Sequence, residues 1–264
     1  MSLLQKYIEN GLNLDQFYNG YIQIKNNNLN GDKFFHQINN LSGSAREDII
    51  LYNFSNGLIP DFLRNLKPVK VNNGIHEIIY FVTNDYLSIG DDNNYLRIPT
   101  TPITAQKIAN LYNCTLPTKK MVMDIWKQST HKIEPNPLPP ISQMTSSQYY
   151  YDHNQKINKQ LSGLDYSQLI SGNKKDIVLT KKLEPNNPNK IVAIYGWIQK
   201  NGIPIQGLNT HSHDINYVDY SHGVRLIFNE VLVNNTVMDI KEVFSSIDLC
   251  SLLSDEGVLN FTSY

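Results

Sequence analysis

Hydrophobic residues follow two different spacings along the chain. In some blocks they recur at the intervals typical of amphipathic helices, and in others they alternate with polar residues or form short continuous runs typical of β-strands. Strand-type and helix-type segments are grouped in separate blocks rather than in strict alternation. The pattern therefore predicts an α+β fold, with a mainly antiparallel sheet, flanking helices and an N-terminal helical segment.

The N-terminal part of the chain carries the helix-type spacing, interrupted by an Asn-rich tract that is typical of an exposed turn. The best defined helix is predicted over residues 45–54. At its start, Ser44 and Glu47 have the spacing of a capping box, in which each side chain bonds the backbone of the other residue. We predict an N-terminal helical segment over residues 1–66 and an α+β main domain over residues 67–264, or one single domain that contains both.

The middle of the chain begins with a change to strand-type alternation. It predicts two strands over residues 69–82, joined by a tight turn at residues 72–74, whose Asn-Asn-Gly sequence favours hairpins. Two helices follow, the first opened by Thr104 and the second by Thr118, because Thr favours the N-cap position. The proline-rich residues 133–140 cannot be helical, and we predict an extended, ordered strap there.

The last part of the chain predicts one more long helix and then mostly strands. The elements are a helix over residues 147–161, strands over residues 169–171, 177–180, 191–198 and 217–228, a hairpin around Asn234-Asn235, and a last helix over residues 240–253. Polar turns separate the strands. Lys174, Lys175 and Asp176 follow a glycine at the entry to a strand, and we predict a solvated turn for them.

Composition narrows the classes of protein. Lys and Arg number 23 and Asp and Glu 24, so the net charge is −1 and gives no basic footprint for nucleic acid or anionic membranes. The two cysteines, Cys114 and Cys250, suit neither a disulfide framework nor a zinc knuckle. No apolar run has the length of a spanning helix, and the first residues do not have the pattern of a secretory leader. We expect a soluble, cytoplasmic protein.

Reactive side chains are concentrated in one late stretch. If residues 217–226 form a single strand, Asp219, Ser221 and Arg225 share a polar face, and His222 lies on the apolar opposite face. Polar groups of several kinds among apolar neighbours are costly to bury, so we interpret these four residues as candidate catalytic residues. The alternatives are a core histidine at one face and, at the other, a solvated surface with an ion pair between Asp219 and Arg225.

Two histidines just before that stretch are candidate metal ligands. His211 and His213 are two positions apart, so in an extended segment both rings lie on one side. With Asp219 or His222 as a third ligand they suit zinc or another divalent cation with one position left for water. Such a metal lowers the pKa of the water and supplies hydroxide near neutral pH. The alternative is a pair of loop histidines without a ligand role.

Three functions are compatible with these residues. The first is a hydrolase whose polar pocket is built on residues 210–225, in a metal-assisted or a metal-free form. The second is a non-catalytic module that binds a carbohydrate, peptide or other small molecule, with Trp197, Tyr217 and Tyr220 as aromatic contacts. The third is a structural protein in which the polar strand face forms an interface. We favour the hydrolase.

Several segments resemble a set of uncharacterised, mostly bacterial proteins. The similar segments are spread over the chain from about residue 44 onward, and they are residues 59–64 with 67–69, residues 104–106 with 116–118, residues 174–176, residues 195–197, and the YVDYSHGVRL motif at residues 217–226. The resemblance implies membership of this set. It implies no particular reaction, cofactor or site residue.

Overall fold

The computed structural model describes residues 12–14, 29–183, 191–210 and 212–264. Within these ranges the helices are α1 (Gly31–Ile38), α2 (Gly43–Ser55), α3 (Pro102–Leu111), α4 (Lys119–Gln128), α5 (Ser147–Leu161) and α6 (Ile240–Ser245). The strands are β1 (Leu12–Asn13), β2 (Asn65–Asn72), β3 (Glu77–Val82), β4 (Ser88–Gly90), β5 (Tyr95–Arg97), β6 (Cys114–Thr115), β7 (His131–Lys132), β8 (Ile170–Ser171), β9 (Lys175–Ile177), β10 (Ile194–Ile198), β11 (Pro204–Asn209), β12 (His222–Gly223), β13 (Ile227–Phe228), β14 (Glu230–Val233) and β15 (Thr236–Asp239). None of the described helices is long and apolar enough to cross a bilayer.

The strands form one large sheet, one smaller sheet and two short strand pairs. The large sheet has the order β1-β2-β3-β13-β6, and β14 extends it by pairing with both β3 and β15. The smaller sheet has the order β11-β10-β9-β12. Among the described strands, all pairs are antiparallel except β12 with β9 and β7 with β8. The predicted α+β fold with a mainly antiparallel sheet is therefore confirmed.

The β2–β3 hairpin confirms the predicted pair of strands in the middle of the chain. Its turn is stabilised by Asn73, whose Oδ1 accepts hydrogen bonds from the backbone of Ile75 at 3.0 Å and of His76 at 2.8 Å. Gly74 has a φ of 92°, in the left-handed region that favours glycine. The Asn-Gly pair thus forms the turn because the Asn73 side chain accepts the hydrogen bonds and Gly74 adopts the positive φ.

Two helices in the middle of the chain begin at threonine caps, as the sequence indicates, but one cap differs from the prediction. Thr118 accepts a hydrogen bond from the backbone of Met121 and opens α4, as predicted. The predicted start of α3 at Thr104 is wrong, because Thr101 is the cap and its side chain accepts from the backbone of Thr104. Pro102 takes the first helical position, where its missing N–H has no cost.

The capping box predicted at the start of α2 does not form. α2 begins at Gly43, and the preceding Ser42 makes no side-chain cap. Glu47 points to α3 instead, where its Oε2 accepts hydrogen bonds from the backbone N–H and the hydroxyl of Thr101, both at 3.0 Å. Glu47 therefore joins two helices, and spacing along one helix does not indicate such a contact.

Residues 217–226 do not form one strand, and the predicted division into a polar and an apolar face is wrong. A turn interrupts the segment, because the backbone N–H of His222 donates to the carbonyl of Asp219 at 3.1 Å. Strand geometry resumes only at β12, which pairs in parallel with β9. All residues from 218 to 228 are buried. The polar side chains of this segment therefore lie in the interior, whichever way they point.

The C-terminal part follows the prediction in its hairpin and departs from it in its helix. The β14–β15 hairpin turns at Asn234 and Asn235, both with positive φ, as predicted. The helix predicted over residues 240–253 is shorter, since α6 ends at Ser245 and only a single turn of 3-10 helix at Cys250–Leu252 follows.

The helices that precede the large sheet share its hydrophobic core. Phe34 of α1 and Phe54 of α2 are fully buried in the same cluster as Val69, Tyr80 and Phe228 from the sheet. Burying one such aromatic side chain stabilises the fold by about 1.5–3 kcal/mol. The division of the chain at residue 66 stays a prediction. Of the helical segment predicted before residue 29, only residues 12–14 are described, and there Leu12–Asn13 form strand β1 against β2 rather than a helix.

Candidate functional site

A tight turn at residues 219–222 brings the reactive side chains of the late segment together. The Asp219 carboxylate accepts two hydrogen bonds from Ser221 at Oδ1, from the backbone N–H at 2.7 Å and from the hydroxyl at 2.5 Å. Its other oxygen accepts from the hydroxyl of Tyr217 at 3.0 Å. An aspartate commonly bonds the backbone two residues on, and this is what fixes the turn here. The Asp219 carboxylate is thereby held by three donors.

Asp219 remains ionised although it is buried. Burial raises the pKa of its carboxyl, but His222, the hydrogen bonds from Ser221 and the charge of Lys175 outweigh this and hold the pKa below its ordinary value. A buried carboxylate is thus available as a fixed negative charge beside His222.

His222 is a buried histidine with no hydrogen bond to its ring. It is fully buried, and neither Nδ1 nor Nε2 has a partner in the part of the chain that the structure describes. Burial lowers its pKa to about 4, against the opposing attraction of Asp219. The ring of Tyr217 lies edge-on with its centroid 5.8 Å away. His222 is therefore a neutral imidazole at neutral pH, with one nitrogen able to accept a proton.

α5 contributes a second buried histidine. His153 has no solvent exposure, and its centroid lies 5.0 Å from that of Tyr220 and 6.2 Å from that of Trp197. Burial, assisted by the charge of Lys174, lowers its pKa well below the ordinary value, although the backbone of Tyr220 opposes the shift. Its ring nitrogens do not meet hydrogen-bond geometry with any described group. The fold therefore encloses two neutral histidines, His153 against Tyr220 and His222 against Tyr217.

Lys174 is buried in the same region, and the solvated turn predicted for residues 174–176 is wrong. The side chain is 1% exposed, and its Nζ donates to the backbone carbonyl of Tyr220 at 2.5 Å. Burial lowers its pKa to about 7, helped by Arg97 and opposed by Asp219. Gly172, two residues before Lys174, has a φ of 98°. A Cβ added at Gly172 would lie 2.5 Å from the carbonyl oxygen of Ile133.

Trp197 lies beside this lysine in a strained backbone conformation. Its φ is 55°, which is rare for a bulky residue, and it follows Gly196 at a bulge in β10. Its backbone N–H donates to the carbonyl of Lys174 at 3.0 Å, and its indole N–H donates to the carbonyl of Asn173 at 3.2 Å. The ring packs under Lys175, whose Nζ lies 4.8 Å from its centroid. Such strain costs about 1–3 kcal/mol and clusters at functional sites.

The fourth candidate catalytic residue, Arg225, contacts a different set of groups. It is 1% exposed, and its two terminal nitrogens donate to the carbonyls of Thr83 at 2.8 Å and Ile170 at 2.7 Å. Its guanidinium packs over the ring of Tyr86, and its Nε lies 3.8 Å from Asp176. The structure thus brings together Asp219, Ser221 and His222, whereas Arg225 joins the backbone of two strand ends.

The candidate metal ligands are only partly within the described residues. His211 lies outside them. His213 is half-buried and stacks on Tyr217, with centroids 3.7 Å apart and an interplanar angle of 8°. Among the described residues, no group of three or more His, Cys, Asp or Glu side chains could hold a metal ion. The pair of metal ligands therefore stays a prediction.

His153 and Lys174 of this region were not among the four candidate catalytic residues, and Trp197 was a candidate only as an aromatic contact for a ligand. A bulge at Trp197 has a signal in the sequence, because glycine within a strand pattern often marks a bulge. Lys174 reads as a surface residue because it stands in a polar turn motif. His153 lies in a correctly predicted helix, but nothing in the helical pattern shows what faces it.

The group that we call the Asp219 cluster consists of Asp219, His222, His153, Lys174 and Lys175. It combines one held carboxylate, two neutral imidazoles and two amines, and both amines have pKa values below the ordinary value, largely through burial. The Lys174 amine, with a pKa of about 7, can accept and donate a proton near neutral pH, and each neutral imidazole presents a nitrogen that can accept one. Comparisons with protein-family models, with curated proteins and with solved structures found no match to this chain.

Proposed function

We propose that the chain is a hydrolase whose reactive groups belong to the Asp219 cluster. One observation carries the proposal, namely the complete burial of His222 with both ring nitrogens unpaired among the described residues. Buried polar atoms nearly always have partners, because an unpaired one costs about 1–3 kcal/mol. Perturbed titratable groups that no structural hydrogen bond explains are characteristic of catalytic sites.

In this proposal His222 acts as the general base. The neutral imidazole takes a proton from water as the water oxygen attacks an electrophilic carbon or phosphorus of the substrate. The Asp219 carboxylate stabilises the imidazolium that results, and the positive charges of Lys174 and Lys175 stabilise the negative charge that develops on the substrate. His222 then returns the proton to the leaving group, so that the proton balance is closed.

Ser221 has a positioning role in this scheme. Its hydroxyl donates to Asp219 at 2.5 Å, so it helps to orient the carboxylate. The alternative, with Ser221 as the nucleophile, requires its proton to pass to Asp219. A Ser221→Ala variant distinguishes the two, because loss of a nucleophile removes turnover completely while loss of a positioning residue lowers it.

The test is a hydrolysis screen with p-nitrophenyl esters, phosphates and glycosides on the wild-type protein and two variants. We expect turnover of one substrate class, lowered about 100-fold or more in His222→Asn because a general base contributes on this scale. The matched control is His36→Asn, since His36 is exposed on α1, and it should keep full activity. Unchanged turnover in a folded His222→Asn variant contradicts the proposal.

The same assay distinguishes the metal-assisted hydrolase from the metal-free one. If His211 and His213 hold a cation, purified protein contains stoichiometric metal and a chelator removes turnover. If turnover survives the chelator, the metal-free scheme is supported.

We place the activity in the cytoplasm as part of this proposal. Cys114 and Cys250 are both free and buried, as expected of a protein that folds under reducing conditions. Fractionation of cells that express the full chain tests this location.

A further inference from the structure

A polar cleft opens beside the Asp219 cluster. Its volume is about 430 Å³, within the range of sites for small molecules. The first turns of α2 and α3 form two of its walls, and residues 216–218 form a third. One lining residue, Tyr217, also donates a hydrogen bond to Asp219 at 3.0 Å. One side chain of the cleft wall therefore contacts the cluster directly.

Two buried charged side chains fix the cleft walls. Arg46 is 2% exposed and donates to the carbonyl of Thr145 at 2.8 Å and to the hydroxyl of Tyr150 at 2.7 Å. Glu47 is 8% exposed and holds Thr101 through its Oε2. In both side chains one polar atom, Nε of Arg46 and Oε1 of Glu47, has no partner among the described groups. The wall thus contains one unpaired donor and one unpaired acceptor.

The charges around the cleft argue against an anionic ligand. Arg46 and Lys107 are balanced by Glu47 and Asp48. The N-terminus of α2 attracts anions by its dipole, but the two carboxylates follow it within the next turn and offset that attraction. A phosphate or carboxylate ligand would meet these negative charges at close range. The balance favours a ligand without net charge.

The remaining polar lining residues carry hydroxyl or amide groups. They are Ser42, Ser44, Thr101, Thr104, Thr145 and Asn216. Each of these groups donates and accepts hydrogen bonds, as sugar hydroxyls do. Tyr217 adds an aromatic ring at the end of the cleft nearest to Asp219. This combination is complementary to a neutral ligand that presents many hydroxyl groups.

We infer that the cleft binds a short neutral oligosaccharide, with one sugar unit at Tyr217. Vicinal sugar hydroxyls can pair with both the unpaired donor of Arg46 and the unpaired acceptor of Glu47 after a small adjustment of the wall. Binding itself does not depend on catalysis. The further statement that this saccharide is the substrate rests on the proposed hydrolase function.

The experiment is calorimetric titration of the full chain with cellotriose, maltotriose and the β1,4-linked trimer of N-acetylglucosamine. Trialanine and inorganic phosphate serve as probes of the two other ligand classes. The blocking variant is Ser44→Trp, in which a large side chain enters the cleft from the first turn of α2. The matched control is Ala45→Trp, since Ala45 is exposed on the same turn but does not line the cleft. Circular dichroism checks that both variants fold.

We expect at least one trisaccharide to bind, with affinity lowered about tenfold or more by Ser44→Trp and unchanged by Ala45→Trp. The inference is overturned if none of the three trisaccharides binds, if trialanine or phosphate binds in their place, or if both variants weaken binding equally. If a saccharide binds but no substrate is turned over, the hydrolase proposal is contradicted and the inference of saccharide binding stands. If no trisaccharide binds but another substrate class is turned over in a way that depends on His222 and not on Ser44, the cleft inference is overturned and the hydrolase proposal stands.

Discussion

The protein encloses two clusters of buried polar side chains that differ in how completely they are paired. In the first, Arg97 is fully buried, and its Nε and Nη2 donate to Asp85 at 2.8 and 2.6 Å. Nη1 donates to Asn154 at 3.0 Å and Asn158 at 2.7 Å, and Nη2 also donates to Tyr95 at 3.1 Å. Every N–H of this guanidinium therefore has a partner, which is what a buried charge requires.

The Asp219 cluster contains groups whose polar atoms are not paired in this way. Among the described residues, His222 has no hydrogen bond to its ring, and Lys174 has a single acceptor, the carbonyl of Tyr220, for its three N–H groups. The pKa of Arg97 is lowered by burial but raised more by Asp85 and Tyr95, so that its charge is secure. Burial lowers the pKa of Lys174 to about 7, helped by the charge of Arg97, and the opposing charges of Asp219 and Asp85 do not offset this. Complete pairing serves stability, and incomplete pairing leaves groups free for chemistry.

The largest expected effect comes from breaking the paired cluster. Arg97→Met should lower the free energy of unfolding by about 3–5 kcal/mol, because it leaves the carboxylate of Asp85 buried without its partner. Urea denaturation measures the change. The control is the double variant Arg97→Met with Asp85→Leu, which removes both charges and should recover part of the loss. A loss below about 1 kcal/mol in the single variant would show that Arg97 and Asp85 are not a structural pair.

The next effect is a dependence of stability on pH that has opposite signs at His222 and Asp176. His222 has a pKa of about 4 in the folded protein against an ordinary 6.5, so the unfolded chain binds a proton first as the pH falls. Through His222, the free energy of unfolding is highest above pH 6.5 and falls by about 3 kcal/mol toward pH 4, at about 1.4 kcal/mol per pH unit. Relative to the wild type, His222→Leu should therefore gain stability over this window.

Asp176 provides the opposite case. Burial raises its pKa from 3.8 to about 7 in the folded protein, against Arg225 and the hydrogen bond from Tyr86. Asp176 therefore contributes stability to the folded protein below pH 3.8, and this stability is lost as the pH rises through 7. The wild type gains stability as the pH is lowered from 7 to 4, and Asp176→Asn lacks this gain. The free energy of unfolding of the variant should therefore fall relative to that of the wild type over this window. Denaturation at several pH values measures both differences, and slopes of the same sign in the two variants would contradict these protonation states.

The sequence was sufficient for elements whose signals are local. α5 has the bounds that its spacing predicts, and Thr118 caps α4. The β14–β15 hairpin turns at Asn234 and Asn235, which tolerate positive φ, and in the β2–β3 hairpin Gly74 supplies the positive φ. Each of these features depends on residues within a few positions of one another. Asp219, Ser221 and His222 were selected from one short segment, but the predicted strand placed His222 on the opposite face, and the turn that brings the three together was not predicted.

The rest depends on contacts between distant segments. Lys175 pairs with His222 through the parallel β9–β12 ladder, in which the backbone N–H of Lys175 donates to the carbonyl of Ser221 at 2.8 Å. No turn motif signals a parallel pair, so the burial of Lys174 could not be predicted from its polar neighbours. The same holds for Glu47, which looks like a helix cap and bonds Thr101 of another helix instead.

The smallest expected effect is the most direct contrast between the two clusters. At pH 7, His222→Leu should lower the free energy of unfolding by no more than about 1 kcal/mol, because the neutral imidazole makes no hydrogen bond to a described residue that the substitution would remove, and the two side chains are similar in size. The same variant should abolish hydrolysis, measured on the substrate found with the wild type. A loss of several kcal/mol would instead place His222 in the same structural class as Arg97, because only a side chain that the fold requires is so costly to replace by an apolar one.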